Sequence, residues 1–181
     1  MAEQLPELLE SRPVFESRVF RVRTDEVRAD GKICRYDIVE HPVSYTVIAR
    51  PRPDSILLVR QYRHAAAQYL WELPAGSAEA GEDALEGVRR ELREETGYAA
   101  TVVRELLWSY MTPGFCTERM RYFIADGLTS GQTQFDEDEN IETSIVRVDR
   151  ALEMIRKREI VDAKTIVALL YFERFSLASE A

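Results

Sequence analysis

The chain has 181 residues, a length that suits one domain or one domain with a small extension. Its 45% hydrophobic content supports a packed core and excludes disorder over most of the length. The formal charge is −8, from 32 acidic and 24 basic residues, and only Lys32, Lys157 and Lys164 are lysines. So acidic a chain is a poor nonspecific ligand for nucleic acid, although a small phosphate compound held by a local cluster or a metal stays compatible with it. The two cysteines, Cys34 and Cys116, form no CxxC pair and read as free thiols of a reducing cytoplasm. Neither a signal-length apolar run at the N-terminus nor a stretch of about 18 apolar residues is present, so no membrane segment is expected.

In chain order, residues from about 14 to 50 read as strands. "FESRVFRVRTDEVR" and "KICRYDIVE" alternate in part, with Ala29 to Gly31 as a turn between them. "SYTVIAR" follows, then "RPRPDS" as a loop. "ILLVRQYR" is an apolar run fit for a buried strand, and "YLWELPAG" is a short strand ending in a turn. A helix over Asp83 to Thr96 comes next, then strands at "TVVRELLWSY" and "RMRYFIAD" flanking the loop "MTPGFCTE". "GQTQFDEDEN" is an acidic loop, "TSIVRV" a strand, and two helices lie near 150–158 and 162–175. Strands, one helix, strands, two helices make an α+β pattern rather than regular βαβ alternation. Residues 1–45 form a helix-free, strand-rich region that needs support from its own chain or a second subunit. Residues 46–181 carry the rest.

The helix is unusual in its acids. Asp83 suits the N-cap, with Glu86 completing a capping box, and Gly97 suits the position after the helix. Leu85, Val88 and Leu92 fall on one stripe. Glu91 and Glu95 lie at its edge and Glu94 further out, while Arg89 and Arg93 lie on the other flank. The acids of the first flank have no base between them. A solvated helix of mixed charge is the plain alternative, but it should intermix its acids and bases. Crowded, half-buried carboxylates are costly unless something positive joins them. A hard cation such as Mg²⁺, which takes oxygen ligands and keeps several waters, would remove that cost.

Gly76, Glu82, Arg90, Glu91, Glu94, Glu95 and Gly97 fill the seven fixed positions of the pattern G-x5-E-x7-R-E-U-x-E-E-x-G-U, with Leu92 and Tyr98 at the apolar positions U. The stretch therefore resembles the Nudix box. The resemblance implies an αβα sandwich around a mixed sheet. It also implies hydrolysis of a nucleoside diphosphate linked to another moiety, with Mg²⁺ or Mn²⁺ held on the box helix. By position it makes Glu91 and Glu95 metal ligands, with Glu94 a third and the carbonyl of Ala75 a fourth. Glu82 and Arg90 hold the loop by an ion pair, and Gly76 and Gly97 serve backbone conformation.

The flanks are similar to those of the ADP-ribose pyrophosphatase and nucleoside diphosphate sugar hydrolase subfamily. "WELPAG" runs into the box, "RQYRHA" precedes it, and Pro113 lies fifteen residues past Tyr98 in "TPG" where the subfamily has Ser-Pro-Gly. The resemblance implies that Arg63 binds phosphate, that Tyr36 and Asp37 contact the adenine, and that Glu118 binds the terminal ribose. It places the catalytic base in the late acidic loop, at Glu137 or else Glu139. It also implies a homodimer whose N-terminal strands are exchanged, while the acidic charge and the lack of a long apolar run lead to an expectation of no nucleic-acid or membrane partner. The leading expectation is a cytoplasmic enzyme that cleaves ADP-ribose to AMP and ribose 5-phosphate. The runner-up is the same chemistry on another nucleoside diphosphate sugar such as GDP-mannose. The non-enzyme alternative is a ligand-sensing protein on this fold, against which the complete set of box glutamates speaks. No HExxH or GxSxG motif offers a different chemistry.

Overall fold

The structure is a computed structural model that describes residues 5–131 and 141–176. The chain divides into two compact units. One runs up to Val43 and includes Ser109–Arg119; the other comprises Ser44–Trp108 and the chain from Met120 on. That Ser109–Arg119 joins the first unit is not apparent from the sequence.

The first unit is built on an antiparallel sheet of order β1-β2-β3, with β1 Glu7–Glu16, β2 Arg21–Ala29 and β3 Lys32–Glu40. The hairpin between β2 and β3 turns at Asp30 and Gly31, with φ of 49° and 73°. Two successive positive φ values define the primed turn whose twist matches paired strands, and the Asp-Gly pair supplies it. β1 lies where the sequence suggests strand only from about residue 14. It pairs with β2 from Glu7 to Glu16, with irregularities at Leu8/Glu10 and Pro13/Phe15. Its place at the sheet's edge tolerates the missing N–H of Pro13, and its acids and exposed length hide the alternation a sequence reading relies on.

The second unit holds two sheets. One has the order β10-β5-β6, with β5 Ser55–Arg63, β6 Gln68–Glu72 and β10 Glu142–Arg147. The other, of order β7-β4-β9-β8, contains β4 Ser44–Ala49, β7 Ala75–Ser77, β8 Tyr98–Tyr110 and β9 Arg119–Ser130. β4 runs parallel to β9 and antiparallel to β7, so this sheet is mixed. All six residues of β4 are buried. A strand buried at every position has both faces covered, the mark of a sheet between two layers. Helix α1 (Ala84–Thr96) packs on β4 and β7, and α3 (Ala163–Tyr171) packs on β4. α2 (Val148–Arg156) lies against β10 and α3.

Ile48, Ile56, Leu57, Leu58, Leu73, Leu92, Tyr122, Phe123, Ile124 and Leu169 are among the fully buried side chains of this unit. Each such aliphatic or aromatic group contributes about 1.5–3 kcal/mol by leaving water. The three-residue strand β7 was hidden in the sequence as a turn. It is too short to show alternation, and its pairing with β4 over Thr46↔Ala75 to Ser44↔Ser77 is a long-range contact.

Candidate active site

Helix α1 starts and stops where its local chemistry dictates. Asp83 has extended backbone, and its carboxylate accepts from the N–H groups of Leu85 (2.9 Å) and Glu86 (3.4 Å). Glu86 turns its own carboxylate to Arg89 Nη1 at 3.1 Å. Gly97 closes the helix with φ 74° and donates its N–H to the Arg93 carbonyl at 2.8 Å. Val88 and Leu92 are buried as the apolar stripe requires, whereas Leu85, at the helix's first turn, is exposed.

The acid flank differs from the expectation in one respect: a base does stand among its carboxylates. Arg90 Nη1 donates to Glu91 Oε1 and to Glu94 Oε2, both at 2.9 Å. Arg90 Nε and Nη2 donate to the two oxygens of Glu82 at 2.8 and 3.1 Å, and Nη2 also reaches the Ser77 carbonyl at 3.2 Å. A wheel drawn from Cα positions misses this, because the long arginine stem carries its charge to a different flank from its own Cβ. The guanidinium is held charged, first by its hydrogen bonds to Glu82 and then by Glu91 and Glu94. In return those bonds hold the Glu82 carboxyl below the usual range. The backbone N–H of Glu79 adds a further bond to Glu82 at 3.1 Å. Arg90 thereby ties the loop Ser77–Glu82 to the helix, joining residues that the sequence set apart as loop-holding from residues it set apart as ligands.

Glu95 lies one turn beyond Glu91, and it is only 3% exposed. Its Oε2 accepts from the backbone N–H of Ala75 at 3.0 Å. Gly76, next along β7, has no positive φ and so is not required for an unusual backbone. Its requirement is space. A Cβ on Gly76 would fall 2.0 Å from the Glu91 carboxyl carbon. Among the described residues no group of three or more Asp, Glu, His or Cys side chains stands arranged to hold a metal ion. The donor chemistry nonetheless suits a hard divalent cation: Glu91, Glu94 and Glu95 offer carboxylate oxygens on one helix, and the glycine makes room for the Glu91 carboxylate itself.

Arg63, at the end of β5, makes a two-point pair with Glu72 on β6: Nε to Oε1 and Nη2 to Oε2, both 2.8 Å. Glu72 is 1% exposed and also accepts from Lys164 Nζ on α3. Burial alone would push the Glu72 carboxyl up, but Arg63 and Lys164 outweigh it and hold it below the usual range. Arg63 is held more firmly charged by its bonds to Glu72, and the charge of Glu95 acts in the same direction. The sequence reading singled out Arg63 but missed Glu72 and Lys164. No local signal joins the two, which lie 92 residues apart.

The remaining candidates belong to the first unit. Tyr36 and Asp37 are consecutive on β3, so they project from opposite faces of its sheet. Tyr36 is 46% exposed, and Asp37 accepts from Thr24 Oγ1 at 2.7 Å. Glu118 lies 3.9 Å from His41 Nδ1. The same unit contains a cavity of about 490 Å³ lined by Arg23, Tyr110, Pro113, Phe115 and Arg119 among others. Glu137 and Glu139 lie outside the described residues. Among those described, no helix is long and apolar enough to cross a membrane.

Comparison with known proteins places this arrangement. The chain is 33% identical over 168 residues to the methanol dehydrogenase activator of Bacillus methanolicus, covering 91% of each chain. It is 34% identical over 163 residues to the ADP-ribose pyrophosphatase of Bacillus subtilis strain 168, covering 88% of each. With the GDP-mannose pyrophosphatase of Escherichia coli O1:K1 / APEC it shares 33% over 161 residues, 82% of this chain and 84% of the relative. A crystal structure of an ADP compounds hydrolase superposes with a TM-score of 0.87 at 21% identity, covering 99% of this chain and 98% of that one. That likeness establishes the fold expected from the box. The NUDIX domain model matches residues 40–169, which takes in the acidic helix, Arg63 and the Glu72–Lys164 pair. The chain belongs to the Nudix family.

Proposed function

We propose that this chain, a Nudix hydrolase, cleaves the pyrophosphate of ADP-ribose to AMP and ribose 5-phosphate in a Mg²⁺-dependent reaction, with Mn²⁺ as a substitute. The observation that carries this reading is the buried Glu95, fixed by the Ala75 N–H one turn from Glu91 on a helix whose Glu91 and Glu94 share Arg90. Glu91, Glu94, Glu95 and the Ala75 carbonyl would hold the ion, which when bound supplies charge neutralisation at the phosphates and a more acidic water. Arg63 binds a phosphate oxygen through N–H groups that Glu72 does not use. A glutamate of the late acidic segment, Glu137 ahead of Glu139, takes the proton of the attacking water. Water adds to one phosphorus, the bridging P–O bond breaks, and the leaving phosphate takes up a proton.

The choice of ADP-ribose over other sugar nucleotides is supported by the Bacillus subtilis relative, which has the highest identity of the three and covers most of the chain. In this reading Tyr36 and Asp37 meet the adenine, Glu118 meets the terminal ribose, and the enzyme is a cytoplasmic homodimer with exchanged N-terminal strands. A second reading, the same cleavage of GDP-mannose, is favoured by the Escherichia coli relative at nearly equal identity.

The test is product release from ADP-ribose, GDP-mannose, UDP-glucose, NADH, diadenosine polyphosphates and 8-oxo-dGTP, each with Mg²⁺ and with EDTA. Preferred Mg²⁺-dependent release of AMP from ADP-ribose is expected. Preference for GDP-mannose would establish the second reading, and no cleavage of any compound would overturn both.

A further inference from the structure

Lys164 and Glu72 are buried titratable groups with no part in the reaction as described above. Lys164 stands in the first turn of α3 and is 8% exposed. Its Nζ donates to Glu72 Oε2, the oxygen that also accepts from Arg63 Nη2, and lies 3.0 Å from Asp162 Oδ1. Asp162 caps the same helix: its Oδ2 accepts from Thr165 N–H at 3.0 Å and Thr165 Oγ1 at 2.6 Å. The Thr165 hydroxyl oxygen in turn accepts from the Leu73 N–H at 2.8 Å. The first turn of α3 therefore grips Glu72 and Leu73, the two residues just before the Pro74-Ala75 step into the box. Ala75 then meets Glu95.

The pairing leaves Arg63 with work to spare. A guanidinium has five N–H donors, and Glu72 takes two of them, from Nε and Nη2. Among the described residues Nη1 has no partner, and the side chain is 41% exposed. Charge counting explains why Lys164 matters to that free edge. Arg63 and Glu72 alone would form a neutral pair, with the anionic Asp162 close behind. Counted together the four groups are neutral with Lys164 and carry −1 without it, so Lys164 lowers the negative charge that a phosphate meets at the free edge of Arg63.

We propose that Lys164 is a positioning residue for phosphate binding: by sharing Glu72 with Arg63 and holding it on α3, it fixes the Arg63 guanidinium and keeps its outer edge positive toward a substrate phosphate. This rests on the functional reading above. Lys164 touches no substrate itself and acts through Arg63.

The experiment is steady-state hydrolysis of ADP-ribose by full-length wild type, Lys164→Met, Lys164→Arg, Arg63→Ala and the double variant Lys164→Met/Arg63→Ala. Calorimetric binding of ADP-ribose in EDTA gives a second readout. Lys164→Met is expected to raise KM and weaken metal-free binding about tenfold while kcat changes less than about twofold. Lys164→Arg should restore most of the loss. In the Arg63→Ala background Lys164→Met should add nothing to KM, since the two act as one unit. A Lys164→Met protein that melts earlier but keeps wild-type KM and binding would overturn the proposal, as would full additivity with Arg63→Ala. If Lys164→Met fails to fold, Lys164→Gln, which keeps a donor to Glu72 without the charge, replaces it under the same two criteria. A wild type that cleaves nothing defeats the functional reading and this inference together. A wild type that does cleave ADP-ribose beside unchanged variants defeats this inference alone.

Discussion

The second unit contains two clusters of charge that solve the same problem differently. On α1, one arginine serves Glu82, Glu91 and Glu94 at a surface that water still reaches; Arg90 retains 24% side-chain exposure. Beneath α3, Glu72 is enclosed and takes two cations at once, Arg63 and Lys164. A half-exposed cluster can change partners at less cost, because water and salt stand in for part of whatever leaves. An enclosed one cannot, because any member removed leaves an uncompensated charge in a low-dielectric place. The α1 cluster is thus suited to exchanging an arginine for a metal during function, and the α3 cluster to holding a geometry fixed.

The sharpest way to break this comparison is to alter one glutamate on α1, the buried Glu95 beside the Arg90 cluster, and one within the cluster beneath α3. Glu95→Gln keeps shape and burial but removes a ligand charge. Turnover of ADP-ribose should fall by at least about a thousandfold, with the far-ultraviolet circular dichroism spectrum unchanged. The gain in Tm that Mg²⁺ gives the wild type should vanish with it, since a ligand stabilises only the state that binds it. A wild-type rate would remove Glu95 from the mechanism. Glu72→Gln should act the opposite way, through stability. It takes from Arg63 its two-point partner and leaves Lys164 with Asp162 alone, and should cost about 3–5 kcal/mol, read as a lower urea midpoint. If both variants lose stability alike, the division of labour between the clusters fails.

A glycine sharpens the same contrast. Gly76→Ala places a Cβ within 2.0 Å of the Glu91 carboxyl carbon. The backbone at Gly76 needs no positive φ, so the added methyl strains nothing but that approach. Glu91 must swing away, and kcat should fall about tenfold to a hundredfold while the urea midpoint moves little. A large loss of stability instead would mean that the backbone, and not the carboxylate, needs the glycine.

These two clusters also mark how far the sequence could be read. The α1 site was legible because its members lie within 22 residues, from Gly76 to Gly97, at spacings that a helix converts directly into neighbours. The cap at Asp83 and the stop at Gly97 were legible for the same local reason. The base within the acid flank was not, because a wheel records where Cβ points and not where an arginine ends. Glu72 and Lys164 were illegible for a stronger reason. Nothing in "WELPAG" or in "VDAKTIVALL" signals that a glutamate and a lysine 92 residues apart will meet in the core. That meeting exists only after β6 and α3 are folded together. In the first unit the Asp-Gly turn declared itself, while β1 did not, since an exposed edge strand carries no burial pattern to read.

Acid should separate the clusters next. Glu72 and Glu82 both have carboxyls held below the usual range, Glu82 chiefly by its bonds to Arg90 and Glu72 by Arg63 and Lys164 against its burial. An unfolded glutamate titrates near about 4.3, so between that value and the lower native one the unfolded chain binds more protons. The stability from these pairs is therefore complete above about pH 5 and is lost as pH falls through and below about 4. Urea midpoints at pH 7 and pH 4 should differ less in Glu72→Gln than in wild type. An equal difference would mean that the buried cluster does not drive acid unfolding.

The smallest effect comes from the helix caps, and it discriminates most finely. Asp83 and Asp162 have the same local role, each accepting N–H bonds in the first turn of its helix. Asp83 does only that, at an exposed loop, so Asp83→Ala should cost about 1 kcal/mol with KM unchanged. Asp162 in addition faces Lys164 at 3.0 Å and accepts from the Thr165 hydroxyl. Asp162→Ala should exceed Asp83→Ala by about 1–2 kcal/mol, because it also disturbs a buried network. Urea unfolding of the two variants side by side measures that excess directly. Equal losses would mean that α3 is merely capped by Asp162, and that the network joining its first turn to Glu72 adds no rigidity of its own.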